Sequence, residues 1–80
     1  MMQDSVHFDD MLIEREIKRE WVDRALRDPD LVEEHDDGTR HCIKQIPEFG
    51  NRWLRVVINV MAVPEKLVTV FFDRRLRRAK

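Results

Sequence analysis

The stretch that decides the fold is "RWLRVVINVMAV", residues 52–63, in which apolar side chains recur at every second position. An alternation with a period of two is typical of a β-strand, because successive side chains of a strand point to opposite faces of the sheet. One face would carry Leu54, Val56, Ile58, Val60 and Ala62, and the other would carry Trp53, Arg55, Val57, Asn59 and Met61. The pattern therefore predicts one long, half-buried strand over residues 52–63.

Strand signals on both sides extend this strand into a sheet. "LVEEH" (31–35) and "RHCIKQI" (40–46) flank an Asp-Gly pair, which is a strong hairpin signal. After the long strand, "VPEK" supplies a turn, and "LVTVFFD" returns with Val68, Val70 and Phe72 expected toward the core. We predict an antiparallel meander of four strands at about residues 31–35, 40–46, 52–63 and 66–73.

The residues before this sheet have helical spacing. Phe8, Met11 and Leu12 predict a first helix at about residues 6–16, with acidic residues in its first turn. A second helix at about residues 18–28 is indicated by an apolar stripe that ends at Asp28-Pro29; the stripe comprises Trp21, Val22, Ala25 and Leu26. Helices that precede an antiparallel sheet indicate an α+β fold. We expect a single domain of residues 1–80, with two N-terminal helices on one face of the sheet and a basic tail over residues 74–80.

Composition excludes several classes of protein. The only glycines, Gly38 and Gly50, fall in predicted turns, so no glycine-rich phosphate loop is present. The longest apolar stretch, residues 54–63, is interrupted by polar residues and is far shorter than the roughly 20 residues of a membrane span. A single cysteine, Cys42, cannot form an internal disulfide, and the N-terminus does not resemble a secretory signal. We expect a cytoplasmic protein without a membrane segment.

The near-zero net charge of −1 hides an uneven distribution. Residues 1–40 contain 13 acidic and 6 basic side chains, whereas residues 41–80 contain 3 acidic and 9 basic ones. A basic face could therefore meet an anionic partner, or the two halves could compensate each other within the fold.

Histidines and acids cluster around the predicted hairpin. This cluster comprises His35, Asp36, Asp37, His41 and Cys42. Such side chains could ligate zinc, but the spacings typical of closed zinc sites are missing, and we expect neither a metal nor a cofactor. His7 lies two helical turns before Arg15, so both can point to one side of the first helix. His7, Arg15 and His41 are the candidate catalytic residues, with capping or structural roles as the alternative.

Basic residues form a second candidate site. Binding of a phosphate backbone needs cations spread over one surface, with aromatic rings on which exposed bases stack. The predicted sheet face and the C-terminus together supply Trp53, Arg55, Arg74, Arg75, Arg77 and Arg78 as residues that bind RNA or a partner protein. The alternative is a solvated terminus that only increases solubility.

The ordered set of these segments resembles a known family. "HFDDMLIEREIKREWVDRALRDPD", a turn with glycine, "WLRVVINV" and "LVTVFFDRR" together resemble a bacterial domain of unknown function (the DUF4258 type), related to the RelE/ParE/BrnT-like toxin superfamily. The resemblance covers about residues 7–75. It implies a RelE-like α+β fold and toxin–antitoxin biology, in which the toxin is directed at RNA or the ribosome, or poisons gyrase, and is held by a small antitoxin. RelE-like ribonucleases often use a tyrosine, and this chain has none.

Two functions of different classes follow from these expectations. The first is an RNA- or ribosome-directed protein that, if it is an enzyme, is a ribonuclease of the mRNA-interferase type. The second is a non-catalytic module that binds an acidic protein partner. An enzyme built on the cluster of histidines, cysteine and acids is a third hypothesis.

Overall fold

The computed structural model describes residues 3–4 and 7–76. Its helices and strands are β1 (Gln3–Asp4), α1 (Phe8–Glu14), α2 (Arg19–Arg27), β2 (Leu31–Glu34), β3 (Thr39–Ile46), β4 (Arg52–Asn59) and β5 (Lys66–Phe72). Short 3-10 turns follow β3 (Pro47–Phe49) and β5 (Arg74–Leu76). The five strands form one sheet in the order β1-β5-β4-β3-β2.

The predicted α+β class and the antiparallel meander are confirmed. Strands β2 to β5 pair with their sequence neighbours, and each pair is antiparallel. Strand β1 was not predicted: its two residues pair in parallel with β5 through Gln3 and Lys66, and Asp4 and Leu67. Two residues are too few to show a periodic pattern, so this edge strand has no signal in the sequence.

The prediction that β4 runs to Val63 is wrong. The strand ends at Asn59, whose side-chain Oδ1 accepts a hydrogen bond of 2.9 Å from the backbone N–H of Met61. The backbone N–H of Val60, the first residue after the strand, donates to the carbonyl oxygen of Gly38 in the β2–β3 turn at 3.1 Å. An asparagine that binds the backbone two residues later favours a turn over continued strand pairing. The apolar alternation therefore continues past the point where the strand stops.

The core lies between the two helices and one face of the sheet. Leu54, Val56 and Ile58 are buried there, as predicted, against helical side chains that include Phe8 and Val22. Strand β5 departs from the predicted register. Thr69 of β5 pairs with Val57 of β4, but the next residue of β4, Ile58, pairs with Leu67. Val68 is therefore the extra residue of a β-bulge. Leu67, which is 1% exposed, therefore fills the core position that the sequence had assigned to Val68.

The two helices are seven and nine residues long. Neither of these helices is long or apolar enough to span a membrane. Helix α1 ends in a Schellman motif: the N–H of Ile17 donates to the carbonyl of Leu12 at 2.9 Å, and the N–H of Glu16 donates to Ile13 at 3.2 Å. This motif requires a left-handed residue, and Glu16 occupies that position with φ of 56°. A side chain with a Cβ is strained there, and glycine is the residue that usually occupies it.

We predict that Glu16→Gly stabilises the protein by about 0.5–1 kcal/mol, because the relief of left-handed strain exceeds the added freedom of the unfolded chain. Urea unfolding at neutral pH measures the change. The matched control is Glu14→Gly, which removes the same side chain from the last residue of α1 and should destabilise the protein by about 0.5–1 kcal/mol. Equal effects of the two substitutions would contradict the assignment of the strain to Glu16.

Candidate functional site

The sheet face opposite the helices is built around Arg55. This arginine is only 5% exposed, and Asp73, directly after β5, is 4% exposed. Arg55 donates from Nε to Oδ2 of Asp73 at 2.8 Å, and its Nη2 lies 2.8 Å from the same oxygen. Its Nη1 donates to Oε1 of Glu33 on β2 at 2.9 Å. The guanidinium is therefore neutralised inside the chain by two carboxylates, and it is not the exposed cation that the alternation in β4 suggested.

His41 on β3 is held neutral by its neighbours. Its Nδ1 lies 2.8 Å from Arg55 Nη1, which can only donate, so Nδ1 is the unprotonated nitrogen. Its Nε2 then carries the proton and donates to the hydroxyl of Thr39 at 3.2 Å, and that hydroxyl donates to Asp37 Oδ1 at 2.6 Å. Burial lowers the pKa of His41, and the nearby charges of His35 and Arg55 lower it further. The hydroxyl of Thr39 likewise lowers the pKa of the Asp37 carboxyl.

His35 lies beside His41 and is the more accessible of the two imidazoles. The two rings stack with centroids 3.9 Å apart and planes 14° from parallel. Its Nε2 lies 3.0 Å from Oε1 of Glu33, and since a carboxylate only accepts, this nitrogen carries the proton. The hydrogen bonds from Arg55 and then from His35 lower the pKa of Glu33, which keeps this carboxylate charged.

Asp73 also organises the start of the C-terminal segment. Its Oδ1 accepts hydrogen bonds from the backbone N–H and Nε of Arg75 at 3.0 and 3.1 Å, and its Oδ2 accepts from Nη2 of Arg75 at 3.1 Å. These bonds, together with those from Arg55, lower the pKa of Asp73 to about 2.

These groups surround a depression of about 380 Å³, which we name the histidine hollow. It is lined by Glu33, His35, His41, Arg55, Phe71, Asp73, Arg75 and Leu76.

A second depression, of about 480 Å³, adjoins the first and is named here the arginine cleft. Its lining consists of Arg15, Arg52, Trp53, Phe71, Phe72, Asp73 and Arg74. Phe71 and Asp73 belong to both depressions, so the two share a wall.

The three arginines of the cleft have no carboxylate partner among residues 7–76. Arg15 donates from Nη1 to the backbone carbonyl of Val70 at 2.7 Å and to the Thr69 hydroxyl at 3.3 Å. The guanidinium of Arg52 lies over the ring of Phe49 at 4.9 Å. The carboxylate of Asp73 is already bound by other arginines. The cleft therefore carries an uncompensated positive charge.

The structure divides the predicted site residues between these two depressions. Arg15, Trp53 and Arg74 line the arginine cleft, while His41, Arg55 and Arg75 line the histidine hollow. His7 lines neither depression: it is 79% exposed at the start of α1, 3.9 Å from Asp10. Arg77 and Arg78 lie outside the described residues.

Two predicted residues differ from expectation in their surroundings. Trp53 is only 9% exposed, and its indole N–H has no acceptor among the described residues, so it is a wall of the cleft and not an open platform. Cys42 is buried on the helix-facing side, whereas His41 points to the opposite face, as neighbours in a strand must. Burial raises the pKa of the Cys42 thiol. A cysteine–histidine nucleophile is therefore not formed.

Glu33 and Asp73 are the functional residues that sequence reasoning missed. Both lie on the same sheet face as Arg55, in strands or directly after one, where an unpaired charge is costly. Their position in or next to a strand, on the same face as Arg55, was the sequence signal that could have identified them.

Glu33, His35 and His41 place one ligand-type atom each within 4.8 Å of one another, which is the arrangement of a possible metal site. Arg55 Nη1 lies 2.9 Å from the Glu33 oxygen and 2.8 Å from the nearer His41 nitrogen. The cationic guanidinium thus already uses two of the atoms that a divalent cation would need.

Comparison with known protein families matches residues 5–72 to the family described as "Domain of unknown function (DUF4258)". The chain belongs to this family. No curated protein and no solved structure matches the chain significantly. In this DUF4258 domain the matched segment spans both helices and strands β2 to β5. It ends before Asp73, Arg74, Arg75 and Leu76, which complete the linings of the two depressions.

We predict that Asp73→Asn destabilises the domain by about 3 kcal/mol, because it leaves the buried Arg55 without its main counter-charge. Urea unfolding at pH 7 measures the loss. The control is Glu34→Gln, which breaks the exposed pair with Arg40 and should cost less than about 1 kcal/mol. A small effect at Asp73, comparable with that at Glu34, would contradict the central role of the buried pair.

The same pair predicts a pH dependence of stability. The pKa of Asp73 is about 2 in the folded protein against an ordinary value of 3.8, so its stabilising contribution is present above pH 3.8 and is lost as the pH falls through 2. The contribution is about 2 kcal/mol. Denaturant unfolding between pH 5 and pH 2 should show a smaller loss in Asp73→Asn than in the unmodified chain. The comparison is needed because Glu48 also has a pKa of about 2.

Proposed function

We propose that this DUF4258 domain binds RNA in the arginine cleft, as an RNA-directed protein related to the RelE/ParE/BrnT-like toxins. The observation that carries the proposal is the group of three guanidiniums, from Arg15, Arg52 and Arg74, which share one cleft and have no carboxylate partner among the described residues. Guanidinium groups match the geometry of phosphate oxygens, and uncompensated cations on one surface attract a polyanion.

The ion pairs of several cations elsewhere in the domain support this proposal. Away from the cleft, Arg24 pairs with Glu48 at 2.8 Å, Arg40 pairs with Glu34 at 2.8 Å, and Lys44 lies 3.4 Å from Asp28. The acidic excess of the first half is thus partly used on cations outside the cleft. These carboxylates do not reach the arginines of the cleft, which is left positive.

Aromatic side chains favour RNA over an acidic protein as the occupant. Phe71 and Phe72 are half-buried walls of the cleft, and Trp53 completes its apolar lining. Bases in a single strand are exposed and stack on partly exposed rings such as those of Phe71 and Phe72, which a carboxylate-rich peptide cannot do. Single-stranded RNA therefore fits both the charge and the apolar lining of the cleft.

Arg55 and Arg75 have a different part in this proposal from Arg74. Their guanidiniums are bound to Asp73, and Arg55 is bound to Glu33 as well. They hold the shared wall of the two depressions in place, whereas the three arginines of the cleft provide the contacts to phosphate.

We predict that Arg52→Gln and Arg74→Gln each weaken binding of a fluorescent oligouridylate about tenfold at low salt. Each should also reduce the slope of log affinity against log salt by about 0.7, the value for one phosphate contact on a single strand. Fluorescence anisotropy across a salt series measures both quantities. The matched control is Arg27→Gln, which removes an equal charge from the exposed C-terminal turn of α2 and should leave the affinity nearly unchanged.

Equal losses of RNA affinity in Arg52→Gln, Arg74→Gln and Arg27→Gln would show that binding depends on net charge and not on the cleft. Absence of RNA binding by the unmodified chain, together with binding of poly-glutamate, would replace the proposal by the alternative of a module for acidic proteins. Growth arrest on induced expression, relieved by the double variant Arg52→Gln/Arg74→Gln, would connect RNA binding to toxin-like activity.

A further inference from the structure

The histidine hollow contains an imidazole whose surroundings suit acid–base chemistry, directly beside the arginine cleft. We infer that His35, oriented by Glu33, is the general base that removes the 2′-hydroxyl proton of RNA, so that the chain cleaves the strand it binds. This inference rests on the proposed function, because the arginine cleft must first hold the RNA.

The orientation of His35 is the first argument. Because Nε2 carries the proton that is donated to Glu33 at 3.0 Å, the lone pair of the neutral ring is on Nδ1. Nδ1 has no partner among the described residues, and the side chain is 40% exposed, so substrate can reach it. A carboxylate that holds one imidazole nitrogen fixes the tautomer and stabilises the imidazolium that forms when the other nitrogen accepts a proton.

His41 supports this base but cannot replace it. Its ring stacks on that of His35 and limits the rotation of the His35 imidazole. Its own acceptor nitrogen, Nδ1, is occupied by Arg55, and its other nitrogen is bound to Thr39. Only one of the two stacked histidines therefore has a free lone pair.

Arg75 supplies the charge that the reaction needs. It uses Nε and Nη2 to bind Asp73, which leaves the hydrogens of Nη1 available, and its side chain is 80% exposed at the rim of the hollow. A guanidinium fixed in this way can stabilise the extra negative charge that develops on a phosphate under attack. Its anchor, Asp73, is one of the two residues that the hollow shares with the arginine cleft.

Because the two depressions share a wall, the RNA bound in the arginine cleft is also the substrate for the histidine hollow. RNA whose phosphates lie along the arginine cleft continues past Phe71 and Asp73 into the hollow, where His35 and Arg75 are located. Proximity of this kind converts weak acid–base groups into effective ones.

The reaction is a transesterification within the RNA strand. The 2′ oxygen attacks the adjacent phosphorus while its proton passes to Nδ1 of His35, and the bond from phosphorus to the 5′ oxygen breaks. The departing 5′ oxygen takes a proton from water, and the hydroxide so formed removes the proton from His35. The products are a 2′,3′-cyclic phosphate and a free 5′ hydroxyl, and DNA of the same sequence is not cleaved because it lacks the attacking group.

The test compares cleavage and binding of one labelled RNA oligonucleotide by purified full-length variants. We expect the unmodified chain to give cyclic-phosphate products, and His35→Ala to cleave at least 100-fold more slowly with unchanged affinity, since a general base contributes a factor of that order. Added imidazole should restore part of the rate to His35→Ala. Glu33→Gln, at a positioning residue, should lower kcat and leave KM unchanged.

The matched control is His7→Ala, which removes an exposed histidine that lines neither depression and should cleave normally. Binding without cleavage by the unmodified chain would overturn the inference and leave the RNA-binding proposal intact. Undiminished cleavage by His35→Ala would also overturn it. Absence of RNA binding would instead overturn the proposed function, and the inference with it.

Discussion

The buried ion pair between Arg55 and Asp73 is the constraint on which the rest of the polar face depends. Two charges that are each about 5% exposed must be partnered, since an isolated charge in such a place costs several kcal/mol. Asp73 follows β5 directly, where its backbone N–H donates to the carbonyl of Trp53 at 2.8 Å. The pair therefore fixes the end of β5 against β4, and it also sets where the segment after residue 73 begins.

The ion pair also orients the neighbouring side chains, because each hydrogen bond of Arg55 has a fixed donor and acceptor. Arg55 can only donate, so it dictates that His41 presents a lone pair to it and that Glu33 remains a carboxylate. Glu33 in turn dictates which nitrogen of His35 carries the proton. A single arginine thus sets, directly or through Glu33, which ring nitrogen of each histidine carries a proton.

Strand β4 lies between the apolar core on one side and the charged face of the sheet on the other. Leu54, Val56 and Ile58 on one face form its apolar contact with the helices, while the other face carries Trp53, Arg55 and Val57. The core supplies the rigidity, and the opposite face uses that rigidity to hold charged groups at fixed separations. Paired arginines on this face have a structural role, whereas the three arginines that line the cleft have no carboxylate partner among the described residues. The proposal of RNA binding depends on that distinction.

The sequence by itself determined the two helices, the four antiparallel strands and the side of the sheet that the helices cover. The period-two alternation of residues 52–63, the Asp-Gly hairpin and the apolar stripe of α2 are local patterns, and each predicted its element, although the strand ends at Asn59 and not at residue 63. It also identified Arg15, Trp53 and Arg74 as residues of interest. Local patterns cannot, however, show which charges neutralise each other: Arg55 and Arg74 are both arginines beside apolar strands, yet Arg55 lies in a buried network and Arg74 lines an open cleft.

Only the tertiary structure decided the partners. Glu33, Arg55 and Asp73 come from three different strands or their ends, and strand pairing across 18 and 22 residues of separation brings them together. The bulge that buries Leu67 in place of Val68 and the two-residue strand β1 are likewise set by pairing with neighbours. The physical reason is the same in each case. Periodicity shows to which face of the sheet a side chain points, whereas ion pairs, register and exposure depend on the residues of neighbouring strands.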